Sequence, residues 1–165
     1  MCIRDRIKAF FPGGSSSPVL TAEEGLDLPY SFEAMAEAGS MLGSGAIIVA
    51  DDTVSIPELA LRTARFYQHE SCGKCTPCRE GTNWTVKMLE RVVRGEATPI
   101  DLETVAAVQT NIIGNCLCVL GDSMAMPVGS MVKKFRSEFD EAIAHGVPGI
   151  ETGSALTPIE VSIAA

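Results

Sequence analysis

The sequence predicts an α+β fold, in which a small unit of strands and turns precedes a bundle of four amphipathic helices. Residues 7–54 are rich in glycine, serine and short apolar runs, and they lack a helical period. From residue 55 the apolar residues recur at helical spacing, in segments joined by short links. We therefore place two domains at 7–54 and 55–146 and expect a flexible tail over 147–165.

The composition excludes several classes of protein. The 46% of hydrophobic residues in this chain of 165 can fill a core, and the formal net charge of −8 argues against a nucleic-acid-binding surface. No stretch approaches the roughly 20 apolar residues of a membrane helix, and the charged N-terminus lacks a secretory signal. We expect an intracellular protein that binds no nucleic acid and does not insert into a membrane.

Two strands and one short helix are predicted in the first half. The run IKAFF at 7–11 predicts a strand, which the turn-forming residues at 12–18 terminate. The run AIIVA at 46–50 predicts a second, buried strand. A short helix is predicted over 31–38, with a serine as its cap. Because the first strand has only one predicted partner, we expect unpaired sheet edges.

The four helices are predicted from capping residues, early prolines and apolar stripes. Their predicted starts are Ser55, Thr76, Thr98 and Pro127, and the last is predicted to end at Gly146. The residues expected on the buried face of the first helix are Leu59, Thr63, Phe66 and Tyr67.

Three cysteines in one Cys-x-x-Cys-x-x-Cys loop, Cys72, Cys75 and Cys78, are typical of an iron–sulfur site. A [4Fe-4S] cube has four iron corners, each of which takes one thiolate, and a tight loop can reach three of them. The fourth ligand must come from elsewhere, and a returning helix could bring residues 115–118 beside the loop. Of the two cysteines there, we interpret Cys116 as a buried small hydrophobic residue.

Zinc and disulfides are the alternatives to a cluster. Structural zinc sites usually take paired ligands from two Cys-x-x-Cys hooks, whereas this chain has three cysteines in one hook and Cys-x-Cys in the other. Disulfides are disfavoured in an intracellular protein. A zinc-stabilised module that only binds partners therefore remains the competing function from a different class.

The charges around the loop favour a negatively charged cluster. Lys74 and Arg79 flank the cysteines, and Cys78 lies in the first turn of a predicted helix. A helix N-terminus carries roughly half a positive charge, so both features should stabilise the reduced state. We expect Gly73 to allow the tight turn between the first two cysteines.

The segment ESCGKCTPCREG at 70–81 strongly resembles the flavin-carrying, NADH-oxidising F subunits of NADH-quinone oxidoreductases (respiratory complex I). The resemblance continues through CVLGD at 118–122, PV at 127–128 and KKFRSEF at 133–139. It implies that Cys118, and not Cys116, supplies the fourth ligand. The implied ligands of one [4Fe-4S] cluster are therefore Cys72, Cys75, Cys78 and Cys118.

The resemblance also accounts for the first half. The segment FPGGSS at 11–16 resembles the family's soluble-ligand-binding β-grasp domain, so residues 7–54 are expected to form a partial β-grasp domain. The family's FMN- and NADH-binding domain should precede it and is absent, which implies a C-terminal fragment without hydride-transfer residues. Residues 1–6 match nothing in the family, and we expect a non-native start there.

In this family, hydride passes from NADH to FMN, and single electrons then leave through the cluster towards quinone. The resemblance thus implies the electron-transfer part of an NADH:quinone oxidoreductase, with the other subunits of the NADH dehydrogenase module as partners. It also implies a place in the cytoplasm, peripheral on the inner face of the cell membrane. The alternative is the diaphorase subunit of an NAD-linked hydrogenase or formate dehydrogenase. Those relatives often carry further ferredoxin-like cysteine motifs, and none follows Cys118.

Overall fold

The computed structural model describes residues 6–149 and confirms an α+β fold, with a small sheet and seven helices in that part of the chain. The strands are β1 (Ile7–Phe11), β2 (Leu20–Thr21) and β3 (Ile48–Asp51). The helices are α1 (Ala22–Gly25), α2 (Phe32–Glu37), α3 (Ile56–Glu70), α4 (Thr76–Val93), α5 (Pro99–Ile112), α6 (Leu120–Lys134) and α7 (Arg136–His145). Most of the predicted non-native start over 1–6 and of the predicted tail over 147–165 lies outside the described residues.

The sheet has the order β2-β1-β3, and β1 is antiparallel to both neighbours. Strand β2 was not predicted, because it has only two residues, too few to show a period of two. The prediction that β3 is buried was wrong, since Ile48 and Val49 are 41% and 43% exposed. An apolar run does not reveal what covers it, and in this edge strand only Ala50 is buried.

The four long helices α3–α6 pack so that α3 and α5 each contact both α4 and α6. One hydrophobic core fills the space between them and extends to the sheet through Ala9, Phe11 and Ala50. Helix α7 packs across this group, where Phe139 is fully buried. No helix of the described part of the chain has the length and apolar character that crossing a bilayer requires.

The predicted helix starts are confirmed where a side chain caps the helix. The Ser55 hydroxyl accepts from the Glu58 N–H at 3.4 Å, and Thr98 forms a capping box with Asp101. Helix α4 begins one residue earlier than expected, because Cys75 occupies the cap position and Thr76 is already helical.

Pro127 does not begin a helix, contrary to the sequence prediction. Helix α6 begins at Leu120 and contains Pro127 in its interior, and α7 is a separate helix that ends at Gly146. A proline inside a helix loses one backbone hydrogen bond. Its ring is buried in the folded protein, and burial of apolar surface favours this position energetically.

The predicted buried face of α3 was partly wrong. Tyr67 is buried, but Phe66 is exposed, and Ala60, Leu61 and Ala64 face the core instead. Small alanines let neighbouring helices approach closely, so the buried face of α3 is formed partly by them. The prediction was based on larger residues and therefore placed the buried face one position too early in the sequence.

A carboxylate joins the sheet to the helices. Lys8 lies at a β-bulge in β1, and its ammonium lies 2.9 Å from the Glu138 carboxylate on α7. The same carboxylate accepts from the Ile56 N–H, at 3.3 Å, where α3 begins. Glu138 therefore fixes β1, α3 and α7 relative to one another.

Leu102→Ala should destabilise the protein by about 2–5 kcal/mol, because the side chain is fully buried and its loss leaves a cavity. Urea unfolding measures the effect. Ile100→Ala is the matched control on the same helix: this side chain is 76% exposed, so the change should stay within about 0.5 kcal/mol. Equal losses in the two variants would contradict the packing of α5.

Candidate metal centre

The loop between α3 and α4 and the first turn of α4 carry the three closely spaced cysteines. Cys72 is exposed, Cys75 is half-buried at the N-cap of α4, and Cys78 is buried in the first turn of that helix. Gly73 has a φ of +74°, a left-handed conformation that favours glycine. The expectation that glycine allows the tight turn is therefore confirmed.

Arg79 ties this loop to α4. Its Nη1 donates to the Gly73 carbonyl at 2.8 Å, and its Nε donates to the Glu80 carboxylate at 2.8 Å. The guanidinium thus has a structural role as well as a charge. Because Glu80 partly neutralises that charge, Arg79 contributes less positive potential to the loop than the sequence alone suggested.

The second cysteine segment returns to the first. After α5 the chain turns at Gly114, whose N–H donates to the Asp122 carboxylate at 2.9 Å. The Leu117 N–H then donates to Cys75 Sγ at 3.2 Å, across 42 positions of the sequence. Residues 115–118 therefore lie directly against the cysteine loop.

Cys116 and Cys118 differ in their surroundings. Cys118 is exposed, whereas Cys116 is half-buried and packs against the hydrophobic core. Burial raises the pKa of the Cys116 thiol, and its proximity to Cys78, Cys75 and Asp122 raises it further. Cys116 is thus half-buried and lies near Cys75 and Cys78, so its interpretation as a buried small hydrophobic residue is only partly confirmed.

Within residues 6–149, no three His, Cys, Asp or Glu side chains converge to hold a single metal ion. The four thiolates of a four-iron cube surround one cluster but bind four different irons, so they lie further apart than the ligands of a single ion. The donor set fits such a cube: the loop offers three cysteines, and the segment carrying Cys118 touches it through the amide of Leu117. Hydrogen bonds to the sulfurs also suit metal-bound thiolates.

Ser71 is a polar residue of the site that the sequence did not predict. The Ser71 hydroxyl, at the end of α3, lies 3.3 Å from Cys78 Sγ and accepts from the Gly73 N–H at 3.3 Å. A serine directly before the first cysteine is the only sequence signal for this contact. It is a weak signal, because Cys78 lies seven positions further along the chain.

One protein family matches most of the helical region. The model described as "NADH-ubiquinone oxidoreductase-F iron-sulfur binding region" matches residues 58–142. An F subunit (number 2) of the NADH-quinone oxidoreductases of Rhizobium meliloti (strain 1021) is 46% identical over 140 residues, which are 85% of this chain and 32% of that protein. The corresponding F subunit of Streptomyces coelicolor is 45% identical over 144 residues, 87% of this chain and 32% of the relative. The chain thus spans roughly a third of these relatives.

Solved structures of an NAD+-reducing [NiFe]-hydrogenase are also similar. The H2-reduced state matches with a TM-score of 0.75 and 29% identity, over 88% of this chain and 26% of the other. The air-oxidised state matches with the same TM-score and identity, over 92% of this chain and 28% of the other.

Gly121→Ala should destabilise the protein by about 1–3 kcal/mol, because the added Cβ would lie 2.8 Å from Cys116 Sγ and 2.8 Å from Ile112 Cγ2. Urea unfolding measures this change. Gly129→Ala is the control in the same helix: its nearest contact would be an ordinary 3.7 Å, so stability should be unchanged or higher by up to about 1 kcal/mol. Equal losses of stability in the two variants would contradict the prediction that the close contacts of Gly121 cause the destabilisation.

Proposed function

Because the chain belongs to the family of NADH-ubiquinone oxidoreductase-F iron–sulfur binding regions, we propose that it carries one [4Fe-4S] cluster that transfers single electrons. The proposed ligands are Cys72, Cys75, Cys78 and Cys118. The contact between Leu117 N–H and Cys75 Sγ supports this proposal most directly, because it joins the segment of the fourth cysteine to the loop of the other three.

When bound, the cluster would supply a group that accepts and releases one electron at a time. The chain's own residues hold the ligands and stabilise negative charge on them. The first turn of α4 contributes free N–H groups around Cys78, and Lys74 adds a positive charge to the loop. The Leu117 amide contributes a further donor at Cys75.

The wider function rests on the relatives, which are oxidoreductase subunits about three times as long. The chain would be the electron-transfer part of an NADH:quinone oxidoreductase, passing electrons from reduced FMN towards quinone. The FMN and NADH sites would lie in the part of the relatives that this chain does not span. Its partners would be the other subunits of the NADH dehydrogenase module, peripheral on the inner face of the cell membrane.

The finer fold assignment is part of the same proposal. Residues 7–54 would be a partial β-grasp domain, and residues 55–146 a four-helix bundle that holds the cluster, with α7 packed across it. The antiparallel sheet with β1 at its centre supports the first assignment. The mutual packing of α3, α4, α5 and α6 supports the second.

A diaphorase subunit of an NAD-linked hydrogenase is the second candidate, supported by the TM-score of 0.75 to an NAD+-reducing [NiFe]-hydrogenase. The two candidates differ in the partner reaction. A native complex purified through this chain should reduce quinone with NADH in the first case and NAD+ with hydrogen in the second. The higher identity of the NADH-quinone oxidoreductase relatives, 46% against 29%, favours the first.

Metal analysis tests the proposed cluster. Anaerobically purified chain should be brown and contain about four irons and a similar amount of acid-labile sulfide, because each corner of the cube is one iron. Stoichiometric zinc without iron would contradict the proposal and favour a zinc-stabilised interaction module instead.

Replacing the two cysteines of the second segment tests the ligand assignment. Cys118→Ala should prevent assembly of an intact four-iron cluster, because one corner loses its thiolate. Cys116→Ala is the matched control and should have only a mild effect. EPR of the reduced protein distinguishes them, and the opposite pattern would make Cys116 the ligand.

A further inference from the structure

Ser71 occupies a position where three structural features meet. It ends α3, with its backbone N–H donating to the Gln68 carbonyl at 3.4 Å. Its hydroxyl lies between the Gly73 N–H and Cys78 Sγ, 3.3 Å from each. The cysteine it contacts is the buried one of the loop, with only 7% of its surface exposed.

The direction of the bond between Ser71 and Cys78 follows from the chemistry of the sulfur. A thiolate bound to iron carries no proton, so it can only accept. The Gly73 N–H already donates to the Ser71 oxygen, which leaves the hydroxyl proton free to point at the sulfur. The resulting chain runs from the Gly73 N–H through the Ser71 hydroxyl to Cys78 Sγ.

We propose that the Ser71 hydroxyl donates a hydrogen bond to the cluster-bound sulfur of Cys78 and thereby raises the reduction potential of the cluster. The inference rests on the proposed function, since it requires the cluster. Reduction adds negative charge, part of which falls on the ligand sulfurs, and a donor stabilises that charge. Burial of Cys78 strengthens the effect, because solvent cannot easily replace the lost donor.

Cys75 provides the contrast. Its sulfur accepts from the backbone N–H of Leu117, a donor that an ordinary side-chain substitution leaves in place. The donor at Cys78 is a side chain, so evolution or mutagenesis can remove it without touching a ligand. Ser71 is therefore a tuning position of the site, separate from the four proposed ligands.

Redox titration of the full chain with its cluster, followed by EPR, tests the proposal. Ser71→Ala should lower the equilibrium constant for one-electron reduction by about tenfold, which corresponds to a potential about 59 mV lower. Ser71→Thr keeps the hydroxyl and should restore the original value. Thr110→Ala is the control, because that exposed hydroxyl bonds only to the Ala106 carbonyl of its own helix.

The experiment distinguishes failure of the proposal for Ser71 from failure of the proposed function. EPR detects only assembled clusters, so partial loss of iron in Ser71→Ala does not obscure the potential of the remainder. A potential equal to that of the Thr110→Ala control would overturn the proposal, as would complete loss of the cluster in both Ser71 variants. Complete loss in Ser71→Ala with recovery in Ser71→Thr would also overturn it, because the hydroxyl would then be needed for assembly of the cluster and not for its potential. A wild-type chain without any cluster would instead refute the proposed function.

Discussion

The Leu117 N–H donates to Cys75 Sγ at 3.2 Å, and this contact joins two segments that are 42 positions apart in the sequence. The contact depends on how the long helices are arranged. The start of α4 must lie beside the end of α5, and the chain must turn sharply between α5 and α6. Close approach at Ile112 provides this: a Cβ on Gly81 would lie 2.6 Å from its side chain, and one on Gly121 would lie 2.8 Å away. Gly81 on α4 and Gly121 on α6 thus both pack closely against the side chain of Ile112 at the end of α5.

The helix ends give the site its electrostatic character. Cys78 lies in the first turn of α4, and α6 begins two residues after Cys118. Two helix N-termini, with their free N–H groups and partial positive charge, therefore lie next to proposed ligands in the chain. Asp122 offsets part of this effect at α6, where its carboxylate holds the Gly114 amide. The site combines fixed backbone donors with few free charges, and such donors need little rearrangement when an electron arrives.

The sequence predicted best those features that one local interaction determines. The starts at Ser55 and Thr98 follow from capping side chains, and the strand at 7–11 follows from a run that is apolar except for Lys8. The start of α6 could not be found in this way, because Val119 has no capping group and Pro127 suggested a later start. This error also concealed that Cys118, the proposed fourth ligand, lies just before the N-terminus of a helix.

In the candidate site, too, the local features were predicted from the sequence and the features that depend on tertiary packing were not. The spacing of Cys72, Cys75 and Cys78 predicted a metal site with no structural information, because the three residues lie within seven positions of the sequence. The contact of Ser71 with Cys78 depends on how the loop folds back on α4, and the contact of Leu117 depends on the packing of three helices. Neither leaves a periodic pattern in the sequence.

Anomalous diffraction at the iron edge, from crystals of the anaerobically purified chain, tests the central claim most directly. The account predicts one compact group of four iron peaks, each adjacent to the Sγ atom of a different residue among Cys72, Cys75, Cys78 and Cys118. An iron bound by Cys116 in place of Cys118, or no iron beside the loop, would contradict it.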